Sequence, residues 1–522
     1  MGIIIDLVCL VFLFAFLVIR LKYELQMMQQ NSYRNERYAK WLTSDIRNIN
    51  RILITGIFIL SCIFINYTWL KIFVSFYAIL GIILELKKKY KKVLVYTNRA
   101  IRLHITSSLL SLLLITFTFF ISKNINFAIL AELLLTVLSF AVLIIANIIN
   151  APVELAINRR YYNDAKKILS LHKDLIIIGI TGSYGKTSTK HYLHRILSEK
   201  YNVLMTPGSY NTTLGVVRTI RENLKPYHEV FIVEMGAKQI GDIKAICDLV
   251  HPTIGILTSV GAQHLESFKT IENVQKTKFE LIDALPEKGL AALNADFEYV
   301  VSRKVKNVGT ISYYSFFNKD VDYYIENIQY ADKGTDFNVR QKDGTTDCLS
   351  TKIVGKHNLS NILAGVIVAK YLNVEMNAIK YAVSHIEQVE HRLNIRQTPA
   401  GITIIDDAYN SNPNGAEMAL EVLKGFQSGQ RIVVTPGMIE LGNKQFEYNY
   451  NFGRQISTSA DYAIIIGEYN REAIVRGLRD NSFDNDKLYL ATSFDDAMKH
   501  LSDKMVKGSV VLYENDLPDT FK

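Results

Sequence analysis

A lysine and a threonine that open a helix behind a glycine turn are the residue types that hold a nucleoside triphosphate. The phrase TGSYGKTSTK, residues 181–190, supplies them. The first N–H groups of a helix have no intrahelical partner, so the backbone from Gly182 through Ser183 and Gly185 to Lys186 can cradle phosphate oxygens. Lys186 would neutralise the β- and γ-phosphates, Thr187 would offer its hydroxyl to Mg2+, and Ser188 adds a further hydroxyl. The spacing is the short GxxGKT form. The longer GxxxxGK[ST] pattern asks for glycine at position 180, where the chain has Ile180.

Other residues could serve the same chemistry. Glu234 closes VFIVE, His264 sits in GAQHLESF, and Lys278 lies in TKFELI. Each alone has an ordinary structural role open to it, and the combination points to phosphoryl chemistry. Asn358 and Asn361 stand at the polar start of HNLSNILAGVIVA. Asp406 and Asp407 end the run ITIIDD, where a carboxylate can meet ribose hydroxyls, and Tyr409 and Asn410 follow in a turn.

These residues need an open α/β scaffold, whose ligands gather at the carboxyl ends of parallel strands. LIIIGI (175–180) reads as a β-branched strand directly before the phosphate loop, and helical sequence begins near Thr187. Further strands are expected at Val230–Val233, Thr253–Thr258 and Gly289–Leu293. A second strand-rich block has Ile402–Ile405, Ile432–Thr435, Tyr462–Ile466, Lys487–Leu490 and Ser509–Tyr513, alternating with helices. It reads as a separate doubly wound domain.

The first 150 residues are of another kind. The chain's 522 residues have a net charge of +9, but the first 150 hold 16 basic and 6 acidic residues, so the remainder is close to neutral. Long apolar runs lie in the same segment, at Gly2–Ile19, Ile52–Leu86, Thr106–Ile121 and Phe127–Ile149. The second is long enough for two short spans, so about five spans are expected. Seven basic residues in Arg20–Arg51 and seven in Lys87–Ile105 mark cytoplasmic loops. The N-terminus is then outside, and the α/β part lies on the cytoplasmic face of the plasma (inner) membrane. The charge therefore reports topology and a lipid-bilayer partner, not nucleic acid. Glu132, inside the last run, is open to an interfacial or a functional role. No CxxC pair suggests zinc or a disulfide framework.

The order TGSYGKT, PGSYNTTLGV, VEMGA, QHLESF, TKFE, LNAD, VGKHNLSNILA, EHR and IIDDAYNSNPNGAEMAL resembles the Mur ligase superfamily over roughly residues 173–515, most closely its D-alanyl-D-alanine-adding branch. The resemblance implies ATP-dependent joining of a carboxylate to an amine through an acyl phosphate, with ATP and Mg2+ as cofactors. It implies Lys186, Lys278, His264 and Arg392 as catalytic. Thr187, Glu234, His264 and a carbamylated Lys278 would hold metal, with Glu280 accompanying that lysine. Asn358 and Asn361 would contact adenine, Arg392 the phosphates and Asp407 the ribose. Asn211 would face the substrate, with Tyr409 and Asn410 as further substrate candidates.

The expected organisation is a transmembrane helical bundle over 1–150, a linker helix over 151–172, an ATP-binding central domain over 173–388 and a Rossmann-like C-terminal domain over 389–522. Apolar runs stand where superfamily members carry a uridine-nucleotide-binding domain. TPGMIELG and KGSVVLYENDLPDTF also depart from the branch's usual phrases. The expected partners are a muramyl peptide or another cell-envelope precursor, and D-alanyl-D-alanine or another amino-acid donor. A lipid-linked acceptor and a non-catalytic scaffold are the alternatives.

Overall fold

The computed structural model describes residues 2–44, 56, 67–88, 90, 92–305, 308–331, 334–409, 411–426 and 429–517. They cluster into two compact units, Met1–Arg159 and Arg160–Asp516.

The first unit is helical, with helices at Gly2–Gln30, Asn35–Ser44, Tyr67–Lys87, Asn98–Ser122, Ile125–Val137 and Ser139–Ser170. Among the described residues, three stretches are long and apolar enough to cross a membrane: Ile4–Gln30, Asn98–Ser122 and Ser139–Ser170. That is fewer than the five spans expected. Most of the first half of the Ile52–Leu86 run lies outside the described residues. Its second half is one continuous helix through Lys71, whose ammonium pairs with Asp6. The run Phe127–Ile149 is divided at Leu138 between a 13-residue helix and the long final one. The linker helix expected at 151–172 is not separate: the Ser139–Ser170 helix passes through Pro152 without ending. A proline removes one N–H donor, but helix-periodic sequence on both sides carries the helix through. Glu132 is buried among these helices.

The second unit holds two sheets. The first has nine strands in the order β2-β3-β1-β4-β5-β6-β7-β8-β9. They are β1 (Ile176–Thr181), β2 (Val203–Met205), β3 (Val230–Glu234), β4 (Ile254–Leu257), β5 (Leu290–Asn294), β6 (Thr310–Ser315), β7 (Tyr323–Ala331), β8 (Gly334–Gln341) and β9 (Thr346–Thr351). β1 lies between β3 and β4, parallel to both. Helices cover both faces, which is why Ile176–Ile180 is continuously apolar rather than alternating. Lys186–Leu197, Lys356–Tyr371 and Met376–Ser384 pack on one face; Thr213–Asn223, Asp242–Val250 and Ile271–Asp283 pack on the other. β7 to β9 form an antiparallel extension absent from the expected strands.

The second sheet has the order β10-β11-β15-β12-β13-β14. Its strands are β10 (Asn394–Gln397), β11 (Thr403–Asp407), β12 (Arg431–Thr435), β13 (Tyr462–Ile466), β14 (Leu488–Ala491) and β15 (Val510–Glu514). All but β10 run parallel. β15 enters between β11 and β12, so the carboxyl ends of these three strands meet at a change of strand order, where a ligand crevice forms.

Candidate active site

The phosphate loop is the turn between β1 and the helix Lys186–Leu197. Two glycines make it possible. Gly182 has φ +154°, and a Cβ there would lie 2.0 Å from Thr258 Oγ1; Gly185 has φ +81°, and a Cβ would lie 2.6 Å from Asn361 Oδ1. No side chain fits at either position. The loop is tied to the turn after β4: Ser183 Oγ donates to Gly261 O at 3.0 Å, and Tyr184 N donates to Ser259 Oγ at 2.8 Å. Lys186 Nζ donates to Gly182 O at 2.6 Å. Burial pushes its ammonium down to about 8, opposed by Glu234 and assisted by Arg392.

Glu234, at the end of β3, collects the expected groups. Thr187 Oγ1 donates to its Oε1 at 3.3 Å and Asn211 Nδ2 at 3.0 Å. Beneath it lies a residue that sequence reasoning missed. Lys190 is fully buried, with Nζ 3.0 Å from Glu234 Oε2. Burial pushes the Glu234 carboxyl up, but Lys190, Lys186 and Asn211 together hold it below the ordinary range. Lys190 follows Lys186 by four residues, so both fall on one helix face, and that spacing was a usable signal.

Lys278 is buried on the helix Ile271–Asp283. Burial, and then the neighbouring Lys186, push its amine well below the ordinary range, against Asp242 and Glu280. A buried neutral amine is the form that can take up carbon dioxide to become a carbamate. Glu280 also has a second role. Its carboxylate accepts from Gly241 N at 2.7 Å and Lys244 N at 2.8 Å, capping the helix Asp242–Val250. His264 lies in the turn before the short helix Leu265–Phe268, with its Nδ1 against the Glu440 carboxylate. Burial lowers this imidazole despite Glu440.

A cavity of about 860 Å³ opens beside the loop, lined by Gly185, Ser188, Asn358, Asn361, Arg392 and Asp407 among others. It takes walls from both domains. Gly355, not an asparagine, precedes the helix Lys356–Tyr371, so Asn358 is not its cap. Its amide accepts from Tyr192 Oη at 2.9 Å and donates to Val354 O at 2.9 Å, which binds this helix to the phosphate-loop helix. Arg392 lies over the Tyr409 ring, its guanidinium carbon 4.4 Å from the centroid. Asn410 lies outside the described residues.

Asp407 accepts from Leu393 N at 3.0 Å and is pushed up to about 6 by burial, against Arg392. Its register partner on β15 is Glu514, which is buried and bonded by Ser411 Oγ. Asp406 points to the other face and pairs with His391 at 2.7 Å, a structural role.

The donor set bears on a metal. Thr187 and Glu234 bring a hydroxyl and a charged carboxylate together, hard oxygen donors that suit Mg2+. Among the described residues no group of three or more His, Cys, Asp or Glu side chains gathers to hold a metal, and Lys278 would add oxygens only as a carbamate.

A phosphate loop on the parallel part of one sheet, facing a second sheet across a cavity of this size, defines a two-domain ATP-using enzyme. Family comparison makes the class specific. The Mur ligase middle domain matches residues 180–369, and the Mur ligase glutamate ligase domain matches residues 391–513, together more than half of the chain. The chain belongs to the Mur ligase superfamily. It is 26% identical over 343 residues to the UDP-N-acetylmuramoyl-tripeptide–D-alanyl-D-alanine ligase of Bacillus subtilis, covering 65% of this chain and 72% of that protein. It is 32% identical over 267 residues to the Escherichia coli ligase of the same name, covering 51% and 58%. The crystal structure of MurF ligase from Thermotoga maritima in complex with ADP superposes with a TM-score of 0.61 at 26% identity, covering 69% of this chain and 80% of that one.

Proposed function

We propose that this chain joins D-alanyl-D-alanine to the carboxyl end of a muramyl tripeptide, using ATP, while held at the cytoplasmic membrane by its N-terminal helices. The observation that carries the reading is the convergence of Lys186, Thr187, Asn211 and Glu234 on one phosphate-loop site beside a cavity walled by both domains. The likeness to ligases named for this reaction supplies the substrates.

In this reading the γ-phosphoryl passes from ATP to the tripeptide carboxylate, releasing ADP. The dipeptide amine then attacks the acyl phosphate, and inorganic phosphate leaves. Lys186 and Arg392 stabilise charge on the transferring phosphoryl. Thr187 and Glu234 would hold Mg2+, which would draw electron density from the phosphates when bound. His264 and a carbamylated Lys278 complete the polar set. Asn358 and Asn361 line the adenine side and Asp407 the ribose side. Tyr409 and Asn410 are the candidates for contact with the incoming substrate.

The helices of the first unit expose Phe117, Phe120 and Ile121, side chains that water does not favour, which supports insertion as a multi-span bundle with the ligase domains inside the cell. The same feature favours a second reading, in which the acceptor is lipid-linked.

The test supplies the purified chain with ATP, Mg2+ and D-alanyl-D-alanine, and with nucleotide-linked and lipid-linked muramyl tripeptide in parallel. Mass spectrometry should find the pentapeptide from the nucleotide-linked acceptor. Product from the lipid-linked acceptor alone would replace the first reading with the second, and product from neither would overturn both.

A further inference from the structure

The loop that follows β12, Pro436 to Gly442, is where the C-terminal domain reaches the central one. It is held from behind by three asparagines. Asn470 Nδ2 donates to Pro436 O at 2.9 Å, Asn449 Oδ1 accepts from Met438 N at 2.9 Å, and Asn515 Nδ2 donates to Gly437 O at 2.6 Å. All three are buried. Such a framework fixes the loop with little freedom of its own.

From its front the loop presents Glu440. The Glu440 carbonyl accepts from Glu266 N at 3.1 Å, and its carboxylate meets His264 Nδ1 and lies 3.5 Å from Lys238 Nζ. Glu440 and His264 both take left-handed backbone, φ +62° and +51°, which a residue with a side chain adopts at a cost. The fit around them is close: a Cβ on Gly442 would lie 3.2 Å from Glu266 N. Two strained residues face each other across a domain boundary, each held by its own domain. Strain of this kind persists where the surrounding structure over-determines it.

A carboxylate accepts but does not donate, so Glu440 makes Nδ1 of His264 the protonated nitrogen. Nε2 is then the lone-pair nitrogen, and the ring plane is fixed.

We propose that Glu440 is a positioning residue of the ligation site: docking of the C-terminal domain seats its carboxylate on His264 and sets that ring's tautomer and orientation. The inference rests on the ligase reading for its consequence in catalysis, and on the contact alone for its consequence in structure. It also accounts for the ELG of TPGMIELG. The C-terminal domain thus completes the arrangement of a residue on the central one, so an undocked chain holds His264 unset.

The full-length chain is compared with Glu440→Gln, Glu440→Ala, His264→Ala and the Glu440→Ala/His264→Ala double variant. Glu440→Ala should lower kcat by about 10–100-fold, with KM for ATP nearly unchanged, and Glu440→Gln, which can still accept from Nδ1, should recover part of that loss. The double variant should be no slower than His264→Ala. Hydrogen exchange of the segment 261–270 should rise in Glu440→Ala, a readout that needs neither substrate nor turnover. Multiplying losses in the double variant, or unchanged exchange at 261–270, would overturn the proposal. If wild type forms no product with either acceptor, the ligase reading fails while the exchange result still decides the contact.

Discussion

Buried charge is handled differently in the two units. Among the described residues of the N-terminal helices, the buried charges meet complements, Glu132 excepted. Arg20 lies between Glu24, at 2.6 Å, and Glu85, and Tyr38 Oη donates to Glu24 at 2.6 Å. Arg102 pairs with Glu154 at 2.6 Å and Lys71 with Asp6. The ligase unit has such a pair in Lys190 and Glu234, but there like charges are also set together. Lys186 depresses Lys278, and Asp407 stands beside Glu514 on the neighbouring strand. The first pattern ties helices to one another. The second keeps charge unbalanced where a triphosphate, a cation and an amine would balance it. Buried pairs that lose one member are costly, whereas unbalanced charge costs stability only until its ligand binds.

The largest effect should come from the unbalanced side. Lys186→Ala should lower ATP turnover by about 10³-fold or more, measured as ADP release, while melting close to wild type. A variant that lost stability but kept turnover would place Lys186 with the structural charges and break the contrast.

On the paired side, Arg20→Ala leaves Glu24 and Glu85 buried without their guanidinium. It should cost about 3–5 kcal/mol, read as the melting of the detergent-solubilised chain. Unchanged melting would show that the pair is not what ties these helices.

Leu113→Arg tests the solvent of the first unit. Leu113 is 65% exposed on the helix Asn98–Ser122. If that helix faces lipid, the substitution should disfavour insertion by about 3 kcal/mol and shrink the membrane-integrated fraction. If the helix faces water, solubility should rise.

The smallest effect is a slope with pH. Asp407 is raised from 3.8 to about 6, so the folded chain keeps a proton that the unfolded chain loses between those values. Stability then falls as pH rises through that window and levels off above it. Asp407→Asn should flatten the fall and raise stability at pH 7 by no more than about 3 kcal/mol, read by thermal melts from pH 4 to 8. A steeper fall in the variant would assign the slope elsewhere.

Local pattern carried much of this into view. The phosphate loop was legible because a β-branched strand, two glycines and a lysine–threonine pair are contiguous. Glu234, at a strand end, was legible for the same reason. Glu440 was not, because its partner His264 is 176 residues away and only the packing of two domains joins them. Glu514 was hidden for the same reason, as β15 enters between β11 and β12 from the far end of the chain. The antiparallel β7–β9 escaped because YYIENIQYA and TDFNVRQ mix polar and apolar residues without the continuous apolar run of β1. Among the helices, the apolar runs were plain but their breaks were not. The division at Leu138 carries no glycine or proline to announce it.

The central claim is that the site activates a carboxylate by moving a phosphoryl group onto it. Muramyl tripeptide labelled with ¹⁸O in its terminal carboxylate tests this directly, given with ATP, Mg2+ and D-alanyl-D-alanine. One labelled oxygen should appear in inorganic phosphate for each peptide bond formed, with ADP as the nucleotide product. Label in AMP, or unlabelled phosphate alongside ligated product, would contradict it.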